Sequence, residues 1–322
     1  MARLRRSRTT KPGLGRRRSG SGFSYVATDG STIRDPEIRE RIDSLAIPPA
    51  WTHVWIAPDP LGHIQAIGTD AAGRRQYLYH PVWREKRDAT KFDRALDLAA
   101  TLPSARAQVT RDLRTAGPTR ERALAAAFRI LDTASPRVGG ERYLESNGSF
   151  GLTTLIGSHV TTRGDHVAIH FRGKGGLDWQ AEFDDRDLAT VLRVLKRRGA
   201  TARLLSWKDE KAWHPLAASD VNEYVRERTH GEFTAKDFRT LRGTIVAAES
   251  LAASGPSKIR RERQAAITKA FIDASDVLGN TPTIAKKSYV DPRVVNLYRR
   301  GRTITVSRGS SPEKALRELL GN

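Results

Sequence analysis

Three features of the sequence predict an α+β fold in two domains, a small β-rich N-terminal one and a mostly α-helical one carrying a small sheet. Short alternating runs punctuated by proline and glycine fill residues 23–88. Helical periodicity takes over at about Ala89 and continues through residues 89–322. One strand–turn–strand pattern, at residues 167–183, interrupts the helices.

Taken in order, residues 1–22 are poor in apolar side chains and rich in charge, with Arg3, Arg5, Arg6, Arg8, Lys11, Arg16, Arg17 and Arg18. Little there offsets the entropy of ordering, so a disordered basic tail is expected, either a phosphate-binding arm or a solubilising terminus. In the β-rich domain, Thr52-His-Val-Trp-Ile-Ala57 is β-branched and aromatic, and residues 64–67 and 76–79 are short alternating runs. A helix over residues 35–44 fits Asp35 as N-cap and Pro36 at the first position. Further helices are expected at 91–102, 104–116, 119–134, 185–196, 218–228, 234–253, 258–278 and 292–300. In the interruption, Val167, Ile169 and Phe171 alternate with polar residues, as do Trp179, Ala181 and Phe183. Gly173-Lys174-Gly175-Gly176 lies between them, which makes a hairpin with a lysine at its tip.

Composition narrows the function classes. Lys and Arg total 56 against 36 Asp and Glu, a formal net charge of +20 among 322 residues. Such an excess attracts polyanions, nucleic acid first, although anionic lipid or plain solubility also fits. The absence of cysteine excludes disulfides, thiolate metal sites and cysteine nucleophiles, and is compatible with a reducing cytoplasm. No run of about 18 apolar residues and no secretory signal are visible, so neither a membrane span nor membrane association is expected. The Arg-rich, acid-free N-terminus also fits an organelle transit peptide, and the abundance of Arg and Ala fits a GC-rich bacterial source.

Four segments carry candidate chemistry: Pro136-Arg137-Val138-Gly139-Gly140-Glu141-Arg142-Tyr143, the tip lysine Lys174, Lys236-Asp237-Phe238-Arg239-Thr240-Leu241-Arg242, and Gly279-Asn280-Thr281-Pro282 through Tyr289. Singly, each has a plain structural explanation. An arginine in a basic chain is usually a surface or phosphate contact. Lys174 suits a solvated turn, Asn280 or Thr281 before Pro282 suits a helix N-cap, and Tyr289 suits a packed core ring.

Together and in this order the four segments resemble the poxvirus-like and bacterial type IB topoisomerases. In that family the catalytic set runs Arg, Lys, Arg, His or Asn, Tyr. The lysine sits on a Gly-Lys hairpin turn, the second arginine in a Lys-Asp-Leu-Arg-Thr box, and the nucleophile closes a Gly-(His/Asn)-Thr-Pro-x-Ile-x-Lys-x-x-Tyr box. Gly73-Arg74-Arg75-Gln76-Tyr77-Leu78-Tyr79-His80 is similar to the family's DNA-contacting Gly-Arg-Lys-Gln-Tyr segment. The resemblance spans about residues 23–300. It implies Tyr289, Arg137, Lys174, Arg239 and Asn280 as the catalytic set, and Arg75, Gln76, Tyr77, Tyr143 and Lys236 as DNA contacts.

The resemblance further implies relaxation of supercoiled duplex DNA by a monomer, without ATP, metal or other cofactor, in the cytoplasm at the nucleoid. Tyr289 would form a 3′-phosphotyrosyl link that conserves the broken ester's energy while the strand rotates and is resealed. Arg137 and Arg239 would hold the non-bridging oxygens, and Lys174 would protonate the leaving 5′-oxygen, with Lys236 assisting near the scissile phosphate. Asn280 stands where the viral members have His. Its neutral amide makes it a hydrogen-bond donor and argues against acid–base work there. Two rivals compete with this reading. A tyrosine recombinase shares the Arg-Lys-Arg-Tyr logic but usually carries His-x-x-Arg where this chain has Lys236-Asp-Phe-Arg239. A non-catalytic architectural DNA binder would need only the charge.

Overall fold

In the computed structural model, which describes residues 3–305 and 309–321, the chain divides into two compact units, residues 1–90 and 91–322. Met1 and Ala2 of the expected tail lie outside the described residues.

The N-terminal unit corrects the expectation of a disordered tail. Strand β1 (Leu14–Ser19) pairs antiparallel with β2 (Gly22–Val26) and with β3 (Thr52–Ile56). With β4 (Ile64–Thr69) and β5 (Arg75–Tyr79) they form a five-stranded sheet of order β2-β1-β3-β4-β5. Two side chains outweigh the low apolar content. Leu14 is buried with Ile33, Ile42, Ile47, Ile56 and Ala66. Arg16 donates to the carbonyls of Ile47, Pro48 and Trp51 at 3.1, 3.1 and 2.6 Å while lying 4.0 Å from the centre of the Phe23 ring. Helix α1 (Pro36–Ser44) is capped as its sequence predicts, the Asp35 carboxylate accepting from the amides of Glu37 and Ile38.

A second correction concerns Pro103. Instead of two helices separated there, α2 (Pro81–Leu113) runs unbroken. Proline removes one backbone donor, but Pro103 is exposed. The opposite face, with Leu96, Ala99, Leu102, Ala105, Val109 and Leu113, is buried continuously, and that packing overrides the local break.

The larger unit is built around α3 (Arg120–Ala134), where residues 123–128, 130 and 131 are all buried. A helix apolar on every side belongs in the middle of its domain. Phe128 meets Tyr224 of α6 (Ala218–Thr229) and Phe238 of α7 (Ala235–Ser254) edge to face, with ring centres 6.2 and 5.3 Å apart. Short helix α4 (Glu141–Asn147) follows the Arg137 segment. The expected hairpin is present as β7 (His166–Arg172) and β8 (Asp178–Asp184), pairing Val167 with Phe183, Ile169 with Ala181 and Phe171 with Trp179. A strand not anticipated, β6 (Val160–Arg163), extends it to three. Helix α5 (Arg186–Lys196) and the small pair β9 (Ser206–Lys208) and β10 (Trp213–Pro215) precede α6. Long helix α8 (Arg260–Leu278) packs along α7, followed by α9 (Pro282–Ser288), α10 (Pro292–Arg299) and an unanticipated α11 (Pro312–Leu320). Among the described residues no helix is long and apolar enough to cross a membrane.

Candidate active site

Tyr289 stands at the C-cap of α9, and its amide donates to the Ala285 carbonyl at 2.9 Å. Its backbone is clamped onto α7 from below. Thr244 Oγ1 lies 3.0 Å from the Tyr289 carbonyl oxygen and accepts from the Asp291 amide at 3.1 Å. Gly243 makes the approach possible, because a Cβ there would meet Tyr289 Cβ at 3.0 Å and Leu278 Cδ1 at 2.9 Å. The ring is 8% exposed, so the phenol is largely withdrawn from water.

Two arginines reach it. Arg239, one turn into α7, is 3% exposed, and its guanidinium carbon lies 5.0 Å from the centre of the Tyr289 ring. Its Nη1 donates to the Ser135 carbonyl at 2.6 Å and its Nη2 to the Leu278 carbonyl at 2.8 Å, which fixes the plane of the group. Those acceptors are supplied by helix ends. Ser135 is the left-handed C-cap of α3, and Leu278 is the last residue of α8. Arg137, two residues beyond Ser135, places Nη1 at a long 3.5 Å from Tyr289 Oη. Burial alone would push the phenol pKa up, but Arg239 first and Arg137 second outweigh it and hold Tyr289 below its ordinary value. Burial, reinforced by Arg137, lowers Arg239 from its ordinary value against the opposing effect of Tyr289. A guanidinium keeps its charge in proteins.

A cavity of about 380 Å³ opens beside these groups, lined by Arg137, Tyr143, Lys174, Lys236, Arg239 and Tyr289 among others. Lys174 occupies the exposed single turn Lys174–Gly176 between β7 and β8, with Nζ 5.5 Å from the centre of the Tyr143 ring on α4. Lys236 is exposed at the start of α7. Helix α7 is anchored there by Asp237, whose carboxylate accepts from the Thr234 amide and hydroxyl and from Arg94 at 2.7, 2.9 and 3.0 Å. Six of the ten residues singled out in the sequence are thus brought to one cavity.

Asn280 is close in sequence but does not line it. The helix cap belongs to its neighbour, since Thr281 Oγ1 accepts from the Ile284 amide. The Asn280 amide nitrogen and oxygen are both buried without a hydrogen-bond partner among the described residues. A buried polar group left unpaired costs about 1–3 kcal/mol, and both polar atoms of this amide are in that state. Gly279 before it is left-handed, with φ +56°, and a Cβ there would meet Trp179 Cδ1 at 2.7 Å. The turn therefore rests on β8 of the lysine hairpin.

Arg75, Gln76 and Tyr77 lie on β5 of the N-terminal unit and form a separate group. Tyr77 is exposed, stacks with Tyr79 at 6.1 Å between ring centres, and has the Arg75 guanidinium 5.6 Å away. Gln76 donates to Asp70 at 2.8 Å, and Asp70 also accepts from Arg74. Those bonds, led by the Arg74 amide, lower the Asp70 pKa to about 2. Among the described residues no cluster of three or more His, Asp or Glu side chains is placed to hold a metal ion.

Several residues that position the site escaped sequence reasoning. Ser135 and Leu278 act through backbone carbonyls, which no residue type advertises, although the Ser135-Pro136 pair does mark a helix stop. Thr244 and Gly243 carry no local signal at all.

The structure thus brings a buried tyrosine, two arginines and a lysine-tipped hairpin to one cavity of the helical unit. The sequence profile of the eukaryotic DNA topoisomerase I catalytic core matches residues 80–303, and that of the bacterial DNA topoisomerase IB N-terminal domain matches residues 22–70. These define the class: an isomerase that acts on DNA topology. The chain is 30% identical over 294 residues to DNA topoisomerase 1B of Acanthamoeba polyphaga mimivirus, covering 89% of this chain and 87% of the relative. It is 22% identical over 247 residues to DNA topoisomerase 1 of rabbit fibroma virus, covering 71% and 70%. To DNA topoisomerase 1B of vaccinia virus (strain Copenhagen) it is 21% identical over 245 residues, covering 72% of each. The chain belongs to the type IB DNA topoisomerase family.

Proposed function

We propose that this topoisomerase relaxes supercoiled duplex DNA as a monomer by cutting one strand through a 3′-phosphotyrosyl link to Tyr289, letting the strand rotate, and resealing it without ATP or metal. The observation that carries this reading is the phenol of Tyr289 set against Arg239 and Arg137, with its pKa lowered despite burial. A tyrosine that only packed a core would not gather two cations.

In the proposed reaction Tyr289 Oη, its proton lost, attacks the scissile phosphorus, and the bond from phosphorus to the 5′-oxygen breaks. Arg137 and Arg239 neutralise the charge that gathers on the non-bridging oxygens. Each such donor is worth on the order of a hundred- to a thousand-fold in rate. Lys174 gives its proton to the departing 5′-oxygen, a contribution of about a hundred- to ten-thousand-fold. Lys236 lines the same cavity and assists at the phosphate. The unpaired Asn280 amide supplies a further donor by turning toward the phosphate when DNA binds. Tyr143 and the β5 group of Arg75, Gln76 and Tyr77 contact the duplex. Resealing reverses these steps.

The test is incubation with negatively and positively supercoiled plasmid in EDTA without ATP, with an SDS-quenched aliquot alongside. Relaxation of both signs and a protein–DNA adduct on a 3′ end are expected, both lost in Tyr289→Phe, which should still bind DNA. Retained relaxation by Tyr289→Phe would remove Tyr289 as the nucleophile.

A further inference from the structure

The segment ahead of β1 lies outside both matched profiles, and the proposed chemistry makes no use of it. Its backbone is nevertheless held against the sheet. The Arg5 amide donates to the Leu61 carbonyl and the His63 amide to the Arg5 carbonyl, both at 2.9 Å. The Ser7 amide donates to His63 Nδ1 at 2.9 Å, and the Ser7 hydroxyl donates to the Ile64 carbonyl at 2.9 Å and accepts from the Ile64 amide at 3.0 Å. Trp55 Nε1 donates to the Lys11 carbonyl at 3.0 Å. The arm is therefore pinned at residues 5, 7 and 11.

Its cations remain open to solvent beside that attachment. Arg3, Arg5, Arg6, Arg8 and Lys11 are exposed and line, with Trp55, a concavity of about 990 Å³. Asp59 pairs with Arg5 at 3.2 Å, but the other four have no acidic partner among the described residues. A terminus serving only solubility has no need of anchors at three places, because ordering costs about 1–2 kcal/mol per residue. Holding like charges together on a fixed backbone is also unfavourable unless an anion joins them. The cations share that one concavity, and a turn in which the Lys11 amide donates to the Arg8 carbonyl at 3.0 Å brings the end of the arm back toward them. Four cations without an acidic partner among the described residues suit a polyanion, which offers several phosphates at once, better than a single small anion.

The geometry points to a preformed ledge on the N-terminal unit, built from Arg3, Arg6, Arg8 and Lys11, that binds the sugar–phosphate backbone of duplex DNA. It is a contact additional to the β5 group, and it requires only that DNA be the substrate. The arm adds affinity without reading sequence, since phosphates carry none.

The experiment compares the full chain with the variant Arg3→Ala/Arg6→Ala/Arg8→Ala/Lys11→Ala, both in the Tyr289→Phe background, so that binding is read apart from cleavage. Affinity for a short duplex is measured across a range of salt concentrations. Each phosphate contact contributes about 0.9 to the slope of log affinity against log salt, so the slope should fall by about 2 to 4 while the thermal melt is unchanged. The set Arg3→Lys/Arg6→Lys/Arg8→Lys should keep the slope. A photo-crosslinking amino acid at Thr10, beside the cations, should label the duplex. An unchanged slope, an equal fall in the lysine set, or no label on the DNA would each overturn the proposal.

Discussion

Replacing Arg239 by alanine tests the site and the fold together. In the structure its guanidinium satisfies two buried carbonyls, those of Ser135 and Leu278, and lies against Tyr289. Each carbonyl left without a donor costs about 1–3 kcal/mol, which gives about 2–6 kcal/mol before any offset. Relief from burying a charge returns part of this, so a destabilisation of about 2–3 kcal/mol is expected in urea unfolding. That is a sizeable fraction of a total near 5–15 kcal/mol, yet it leaves the protein folded. Catalysis should suffer more. The transition state loses one fixed donor, a loss of about 2.7–4 kcal/mol, and the phenol loses the neighbour that lowers its pKa most. Single-turnover cleavage at saturating DNA should therefore slow by at least a hundred-fold. Arg239→Lys should fall between the two, because an ammonium keeps the charge but cannot span both carbonyls in one plane. Cleavage by Arg239→Ala within threefold of the parent, or a loss of stability below about 0.5 kcal/mol, would refute the reasoning.

Two further outcomes follow. Because the two guanidiniums hold the Tyr289 phenol below its ordinary value, the cleavage rate should rise with pH along a limb set by that lowered pKa. Arg137→Ala removes one of the lowering charges and should move the limb to higher pH, and a limb that stays in place would separate Tyr289 ionisation from the rate. Thr244→Val keeps the shape of the side chain but removes the hydroxyl that bridges the Tyr289 carbonyl and the Asp291 amide. Cleavage should slow about tenfold, as for a small misplacement of a reacting group, with DNA affinity unchanged and the rate restored in Thr244→Ser; equal behaviour of all three proteins would dismiss Thr244 as a positioning residue.

Local chemistry was legible wherever one residue did one job. Asp35 before Pro36 caps a helix, and the alternation across Gly173-Lys174-Gly175-Gly176 folds as the hairpin it reads as. Arg137, Lys174, Lys236, Arg239 and Tyr289 were all named from the sequence, and the fold gathers them around one cavity. Asn280 was named too, yet its amide lies buried away from that lining, and the cap it was weighed for belongs to Thr281.

The sequence by itself determined the α+β class and the excess of positive charge, because these rest on periodicity and composition, while the candidate site residues came from the resemblance of its four segments to a known family. Tertiary structure alone decided the rest. Pro103 sits within a helix because the face opposite it is buried along its length. The basic N-terminus is ordered because Leu14 packs with residues between Ile33 and Ala66 and Arg16 bonds carbonyls 31 to 35 residues away. The lowered phenol of Tyr289 depends on Arg239, which is aimed by carbonyls at the ends of α3 and α8. A carbonyl is present at every position of the chain, so only the fold could select those two.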